Sequence, residues 1–245
     1  MSRVGSAFAL SAGVTRPRPV FANSVSFLTR RVVGQQFLLL PDAVSANAYR
    51  YSLALSAKKF DWKVSYYAAQ QMSNHDHVVV FDEKAERSGY LSHKNGVMAR
   101  AMNALRRRKG VFWEAPTTKD KQDLRRSHEV LSSIVYTLCN PVAANLCDYP
   151  HEWPGTVGDW RQILTVPITA HRPMHFFSQA SPEEGGAPSR VLFHLVQPRC
   201  FDHLEPAEYE ALVRDAVQVE CERLHGLRGG RPPLGVEVAL AFDPR

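Results

Sequence analysis

Cysteines and long apolar runs are scarce in this sequence, and each shortage excludes a class of protein. There are four cysteines in 245 residues, and no two of them form a Cys-x-x-Cys pair. This pattern favours reduced thiols in a cytoplasmic protein over a disulfide framework or a thiolate zinc cluster. No apolar run approaches the roughly 20 residues of a membrane-spanning helix, and AFALSAGV near the N-terminus is too short for a signal-peptide core. We therefore expect no membrane association.

Acidic side chains are outnumbered, with 24 Asp and Glu against 30 Lys and Arg, which gives a formal net charge of +6. This excess favours polyanionic partners, with nucleic acid first and acidic membrane surfaces second. Alone it is a weak clue, because many cytosolic proteins are mildly basic. Residues 1–22 contain basic side chains and no strong periodic pattern, so we predict a disordered basic lead-in there.

The hydrophobic periodicity predicts an α+β fold, with an antiparallel sheet and helices packed on it. Up to about residue 150 the predicted order is strand, helix, strand, strand, helix, helix, and the second and third strands should form a hairpin. We predict strands at 24–33, 63–72 and 75–81, and helices from Asp42, over 88–109 and over 120–139. QFLLL at 36–40 either extends the first strand or forms a short neighbour.

From Asp148 the composition shifts to a proline- and tryptophan-rich loop. Residues 161–245 then hold one clear helix, from Pro206 to His225, and strand-like segments at 190–197 and 235–242. We therefore divide the chain into the lead-in, a domain at 23–160 and a C-terminal α/β extension at 161–245, whose role the composition does not indicate.

The short segment NHDHVVV places two histidines at the start of an apolar strand. Because side chains alternate along a strand, His75 and His77 point to the same side and can share one divalent cation. On its own, His-x-His is common, and two surface histidines near a turn are the more frequent explanation.

A second motif lies about 60 residues later. MSNHDHVVVF is similar to Met-Pro-Asn-His-hydrophobic-His followed by an apolar strand, and YTLCNPVAANLCDYPHEWP is similar to Tyr-x-x-x-Asn-Pro-Val-x-Ala-Gly-Leu-Val followed by an acidic, proline-aromatic loop. Together they resemble the REP-associated tyrosine transposases of the single-tyrosine HUH endonuclease superfamily. The resemblance covers roughly residues 24–158 and makes 23–160 the HUH transposase-like catalytic domain.

The resemblance implies a ferredoxin-like sandwich that acts on single-stranded DNA, often bearing a hairpin. It implies that His75, His77 and a third ligand, Asn140, hold Mg²⁺ or Mn²⁺ against the scissile phosphate. Tyr136 would attack, forming a 5′-phosphotyrosine and releasing a 3′-OH. A phenol with a pKa of about 10 needs such a cation to react at neutral pH. The family also implies a cytoplasmic, nucleoid-associated protein, with a homodimer left open.

Helical spacing is consistent with these roles, although each residue has a structural alternative. Tyr136 and Asn140 are four apart, so one helical turn lets both face one cation. Asn140 precedes Pro141, which disfavours helical geometry at Asn140, and Asn140 could instead cap a new helix. A tyrosine on a mainly apolar helix is usually a core or boundary residue.

Two positions depart from the family pattern. Asp76 replaces the apolar residue between the histidines, so it should reach solvent or pair with a nearby arginine. Asn145 stands where the family has glycine, unless a shift of one residue places Ala144 there. Both changes raise the prospect of an inactive copy.

A basic run forms the end of the helix predicted over 88–109 and is usually a solvated helix end. In a DNA nuclease it would contact backbone phosphates. We predict this role for Arg100, Arg106, Arg107, Arg108 and Lys109, with Arg30, Arg31, Arg125 and Arg126 as secondary candidates.

These features lead to a DNA transposase and endonuclease as the first hypothesis. The alternative is a catalytically inactive DNA-hairpin-binding protein derived from such an enzyme. A weaker third hypothesis is an unrelated metal hydrolase that uses His75 and His77.

Overall fold

A computed structural model describes residues 19–115 and 121–242. The lead-in predicted for residues 1–22 therefore lies almost entirely outside the described residues. The strands and helices, in chain order, are β1 (Ser24–Arg31), α1 (Ala43–Lys59), β2 (Val64–Gln71), β3 (His75–Asp82), α2 (Arg87–Leu105), β4 (Lys121–Leu124), α3 (Ser127–Ala143), β5 (Ile168–His171), β6 (Arg190–Phe193), α4 (Pro206–Arg228) and α5 (Val236–Leu240). None of the helices in these ranges is both long and apolar enough to cross a membrane.

The main sheet has four antiparallel strands in the order β2-β3-β1-β4. The predicted hairpin of β2 and β3 is present and is closed by a hydrogen bond from the Met72 amide to the His75 carbonyl, at 2.8 Å. Helix α1 begins as predicted, because the Asp42 carboxylate accepts a hydrogen bond from the Ser45 amide at 2.8 Å. The predicted α+β class with an antiparallel sheet is confirmed.

Helices cover both faces of this sheet. Asp76 of β3 bonds to Tyr49 of α1 and Lys94 of α2, so these two helices cover one face. His77, its neighbour in the strand, contacts Tyr136 of α3 on the other face. The period-two alternation of a strand thus sends the histidines and Asp76 to opposite layers.

The C-terminal part packs against both layers. Strands β5 and β6 form a second antiparallel sheet beside α1, where the side chain and backbone of Asn47 and His171 exchange two hydrogen bonds of 2.8 and 2.9 Å. Helix α4 lies along α3, with Val213 and Val217 fully buried. The two helices contribute to one continuous apolar core.

Several predicted elements differ from the structure. The predicted helix over 120–139 is wrong in its first part, because Lys121–Leu124 pairs with the edge of β1 and the helix begins at Ser127. The predicted strand at 235–242 is wrong, since the five-residue helix α5 occupies it and no strand among the described residues pairs with it. QFLLL forms no strand, and its leucines are buried in a turn.

Element ends also differ from the predictions. Helix α2 ends at Leu105, so the basic run follows the helix and does not form its last turn. Helix α4 continues past Gly226 to Arg228, and Gly229 ends it with a φ of 64°, the left-handed geometry that glycine adopts readily. Val44, in the first turn of α1, is 50% exposed.

Candidate active site

The two histidines project from β3 toward α3 and lie side by side. Their ring centroids are 4.7 Å apart. In the neighbouring strand Thr29 stands opposite His77 and Arg31 opposite His75, so these two side chains lie on the same face. His77 is buried, while His75 is partly exposed.

Tyr136 of α3 lies next to this pair. Its ring packs edge-on against His77 at a centroid distance of 5.4 Å and against Phe27 of β1 at 5.7 Å. Phe27 in turn stacks on His77 at 5.3 Å. The Tyr136 side chain is 52% exposed, so it is not the core residue of the structural alternative.

Asn140 reaches the other histidine. Its side chain lies close enough to His75 to favour protonation of that ring, a small effect against the lowering of the His75 pKa by burial. Helix α3 continues through Pro141 to Ala143, so Asn140 stays helical, one turn after Tyr136. The alternative in which Asn140 caps a new helix is therefore wrong, because the Ala144 amide donates to the Asn140 carbonyl at 2.9 Å as in a continuing helix.

The hydrogen bonds of the imidazoles suit metal binding. His77 Nδ1 lies 2.8 Å from Thr29 Oγ1, and His77 Nε2 is buried with no hydrogen-bond partner among the described residues. His75 Nδ1 lies 2.6 Å from Asn74 Oδ1, which accepts the proton. When Nδ1 carries the proton in each ring, Nε2 presents its lone pair, which is the common arrangement of metal-binding histidines.

Electrostatics keeps both rings neutral. Burial lowers the pKa of His77 to about 3, with smaller contributions from His75 and Arg31. Burial also lowers the pKa of His75, and Arg31 adds to this, whereas Asp76 and Asn140 oppose it. A neutral imidazole is the form that binds a cation.

A metal here would need an amide ligand. Among the described residues there is no group of three or more His, Cys, Asp or Glu side chains placed to hold a metal ion. The two histidines and the Asn140 amide give two nitrogens and one oxygen, and Mg²⁺ or Mn²⁺ would take its remaining ligands from phosphate and water. The residues present fit such an ion.

Asp76 has a different partner from the expected one. It is 1% exposed and forms an ion pair with Lys94, which is 2% exposed, so neither solvent nor an arginine neutralises it. Tyr49 adds a hydrogen bond of 3.1 Å. Lys94 lies 18 residues away on another element, which is why the sequence did not indicate it.

Asn145 keeps the conformation that a glycine would adopt. Its φ is 57°, in the left-handed region. Asparagine tolerates this region better than most other residues. The departure from the family pattern at this position therefore needs no repacking of the chain after α3.

The predicted DNA-binding run is divided by the structure. Arg106 pairs with Asp42 at 2.8 Å and donates to the Leu40 carbonyl at 3.0 Å, so its charge is partly offset within the protein, and its phosphate contact stays a prediction. Arg100 lies over the Phe176 ring at 5.9 Å. Arg107 and Lys109 are exposed, Arg108 is partly exposed, and all three remain predictions.

The structure adds two residues to the site that the sequence did not assign to it. Arg31, a secondary candidate in the sequence, is exposed beside the histidines. Thr29 was not predicted as a site residue, although it lies two positions before Arg31 on β1 and residues two apart on a strand share a face. The missing information was the strand register, which pairs Thr29 with His77.

Comparisons with known proteins give one remote likeness. No family model and no curated protein matches the chain. A solved structure of a REP-associated tyrosine transposase bound to a REP hairpin has a TM-score of 0.48 and 14% sequence identity. That match covers 57% of this chain and 79% of the other.

Proposed function

We propose that this protein cuts and rejoins single-stranded DNA through Tyr136, as a single-tyrosine HUH transposase does, with a divalent cation held by His75, His77 and Asn140. One observation carries the proposal: the half-exposed ring of Tyr136 packs against His77, which lies next to His75 and whose Nε2 has no hydrogen-bond partner among the described residues. The substrate is a single strand that bears a hairpin.

The strand topology supports the same proposal. The order β-α-β-β-α-β, with strands arranged β2-β3-β1-β4, is the order expected of a ferredoxin-like sandwich and so favours that architecture in our proposal. In that arrangement β1 and β3 are central strands, so Thr29, Arg31 and the histidines lie on one face of the middle of the sheet. Helix α3 packs on this face, and Tyr136 is therefore positioned by a helix and not by a loop.

The chemical step is a transesterification at phosphorus. The Tyr136 oxygen attacks, a tyrosyl O–P bond forms and the P–O3′ bond breaks. The phenol proton leaves to solvent, and the departing 3′ oxygen takes up a proton. Because one phosphodiester replaces another, the reverse attack by a 3′-OH rejoins the strand without ATP.

The residues around Tyr136 and the cation that they would hold offset the negative charge of the scissile phosphate. Bound Mg²⁺ or Mn²⁺ would neutralise phosphate charge and make the phosphorus more electrophilic. Thr29 fixes the orientation of the His77 ring, and Asn74 does the same for His75. Arg31, exposed at the His75 end, donates to a non-bridging phosphate oxygen. The protein works in the cytoplasm on chromosomal DNA.

Trapping the covalent intermediate tests this proposal. Hairpin-bearing single strands are incubated with the protein and Mn²⁺ and then separated under denaturing conditions. We expect a protein–DNA adduct with the wild type and none with Tyr136→Phe, which should still bind the DNA. Tyr149→Phe is the matched control and should form the adduct normally.

Two other results would each contradict the proposal. Hairpin binding by the wild type without any adduct would favour the inactive DNA-binding protein. Metal-dependent DNA hydrolysis that survives Tyr136→Phe would favour the unrelated hydrolase.

A further inference from the structure

A groove of about 950 Å³ opens between α3 and α4 directly beside Tyr136. We call it the interhelical groove. Its α3 wall includes Leu131 and Val135, and its α4 wall includes Leu212, Ala216 and Val219. The volume is within the range of pockets that hold small organic groups, about 300–1,000 Å³.

The groove is continuous with the candidate active site. Tyr136 and Phe27 line its end, and both rings also contact His77. A nucleotide whose phosphate lies at the Tyr136 hydroxyl would carry its base only a few bond lengths away. The groove is the apolar space that such a base can reach.

Packing keeps the two helices apart at a fixed spacing. Val213 and Val217 of α4 are fully buried, and the sulfur atoms of Cys139 on α3 and Cys221 on α4 lie 3.9 Å apart. On the groove side, Val219 stays 65% exposed. The buried contacts between α3 and α4 thus hold the two helices in place, and the apolar side chains that line the groove stay exposed to solvent.

Charge decides which part of a DNA strand can enter. Glu129 caps α3 by accepting from the Arg125 and Arg126 amides, and Glu220 pairs with Arg223. Asp215 also lines the groove and is exposed, with no ion pair among the described residues. These carboxylates repel phosphates but can accept from the exocyclic amino group of cytosine, adenine or guanine.

We propose that the interhelical groove binds one unpaired nucleobase next to the scissile phosphate and prefers a base with an exocyclic amino group. The inference rests on the proposed function and adds a specificity subsite to it. Apolar walls accept the flat base, Phe27 and Tyr136 border it, and Asp215 distinguishes cytosine, adenine and guanine from thymine. Arg31 lies at the opposite end of the site, so the phosphate and the base have separate binding places.

The test uses a pool of hairpin-bearing single strands with randomised bases on both sides of the cut. Adducts formed by the wild-type protein with Mn²⁺ are sequenced. We expect depletion of thymine at one flanking position, and an abasic residue there should lower the adduct yield by roughly tenfold, the effect of one lost stacked base. Val219→Trp fills the groove, whereas Val238→Trp on α5, 54% exposed, is the matched control.

Val219→Trp should lose both the base preference and the sensitivity to the abasic residue, and Val238→Trp should keep both. Asp215→Ala should lose only the discrimination against thymine. Thermal unfolding of each variant shows that it is folded. Adducts with no flanking preference, or an unchanged preference in Val219→Trp, would overturn the groove proposal alone. No adduct from the wild type would overturn the proposed function and the groove with it.

Discussion

At the scale of single residues, the candidate site depends on partners that orient the histidines. Thr29 Oγ1 holds His77 Nδ1 at 2.8 Å, which leaves Nε2 buried and without a hydrogen-bond partner among the described residues. Such outer contacts usually contribute about 10- to 100-fold to metal affinity, because they fix the tautomer and the ring orientation.

Thr29→Val removes this hydrogen bond and keeps the side-chain shape. We predict that it weakens Mn²⁺ binding by roughly tenfold, as measured by calorimetric titration of the protein without DNA. Thr169→Val on β5, also partly exposed, is the control and should bind Mn²⁺ normally. Equal Mn²⁺ affinity in Thr29→Val and the wild type would show that His77 does not bind the ion through Nε2.

A second prediction concerns Arg31, whose positive charge attracts the phosphate but repels the bound cation. Arg31→Gln should slow adduct formation by roughly tenfold, since a charged hydrogen bond to phosphate is lost. The same change should not weaken Mn²⁺ binding, because it removes a positive charge beside the ion. Arg214→Gln, an exposed arginine on α4, is the control.

The rate of adduct formation and the Mn²⁺ affinity, both measured for Arg31→Gln, show whether Arg31 contacts the phosphate or supports the metal site. Weaker Mn²⁺ binding in Arg31→Gln would mean that the residue supports the metal site and not the phosphate. An unchanged rate would exclude a phosphate contact.

At the scale of elements, β3 holds the histidines on one face and a buried ion pair on the other. Asp76 and Lys94 are both almost completely buried, and Tyr49 adds a third polar group. Removal of one partner from a buried pair leaves an uncompensated charge, whereas replacement of both by apolar groups is often neutral.

We predict that Lys94→Met lowers the free energy of unfolding by about 3 kcal/mol and that Asp76→Val/Lys94→Met recovers most of this loss. Guanidinium unfolding measures both. Lys63→Met breaks the exposed pair with Glu83, at 3.6 Å, and should change the free energy by less than about 1 kcal/mol. A double variant as unstable as the sum of its single variants would refute a coupled pair.

Local patterns allowed much of this fold to be predicted. The β2–β3 hairpin, the Asp42 cap and the shared face of His75 and His77 all follow from spacing within a few residues. The edge strand β4 did not, because four residues with little pattern become a strand only through pairing with β1. Lys94 as the partner of Asp76 was missed for the same reason, since the contact joins separate elements.

At the scale of the whole molecule, the segment 161–242 packs on the first part through apolar and polar contacts. Tyr209, Val213 and Val217 are fully buried, and the Tyr51 hydroxyl donates to the Pro188 carbonyl at 2.5 Å. The Val196 amide donates to the Tyr66 carbonyl at 2.8 Å, which joins the segment to β2.

We therefore predict one cooperative unfolding transition. All four tryptophans lie in residues 62–160, so their fluorescence reports on the first part, whereas far-UV circular dichroism includes α4. The two signals should have the same denaturant midpoint. A separate transition seen only by circular dichroism would mean that the C-terminal segment unfolds independently.

The central claim is that the Tyr136 oxygen becomes bonded to DNA. After incubation with Mn²⁺ and hairpin DNA, nuclease treatment and trypsin, mass spectrometry can locate the nucleotide on the peptide from residue 127 to 161, which contains Tyr136 and Tyr149. We predict a phosphodiester-linked nucleotide on Tyr136. A nucleotide on Tyr149, or an unmodified peptide from protein that has cut the DNA, would contradict the claim.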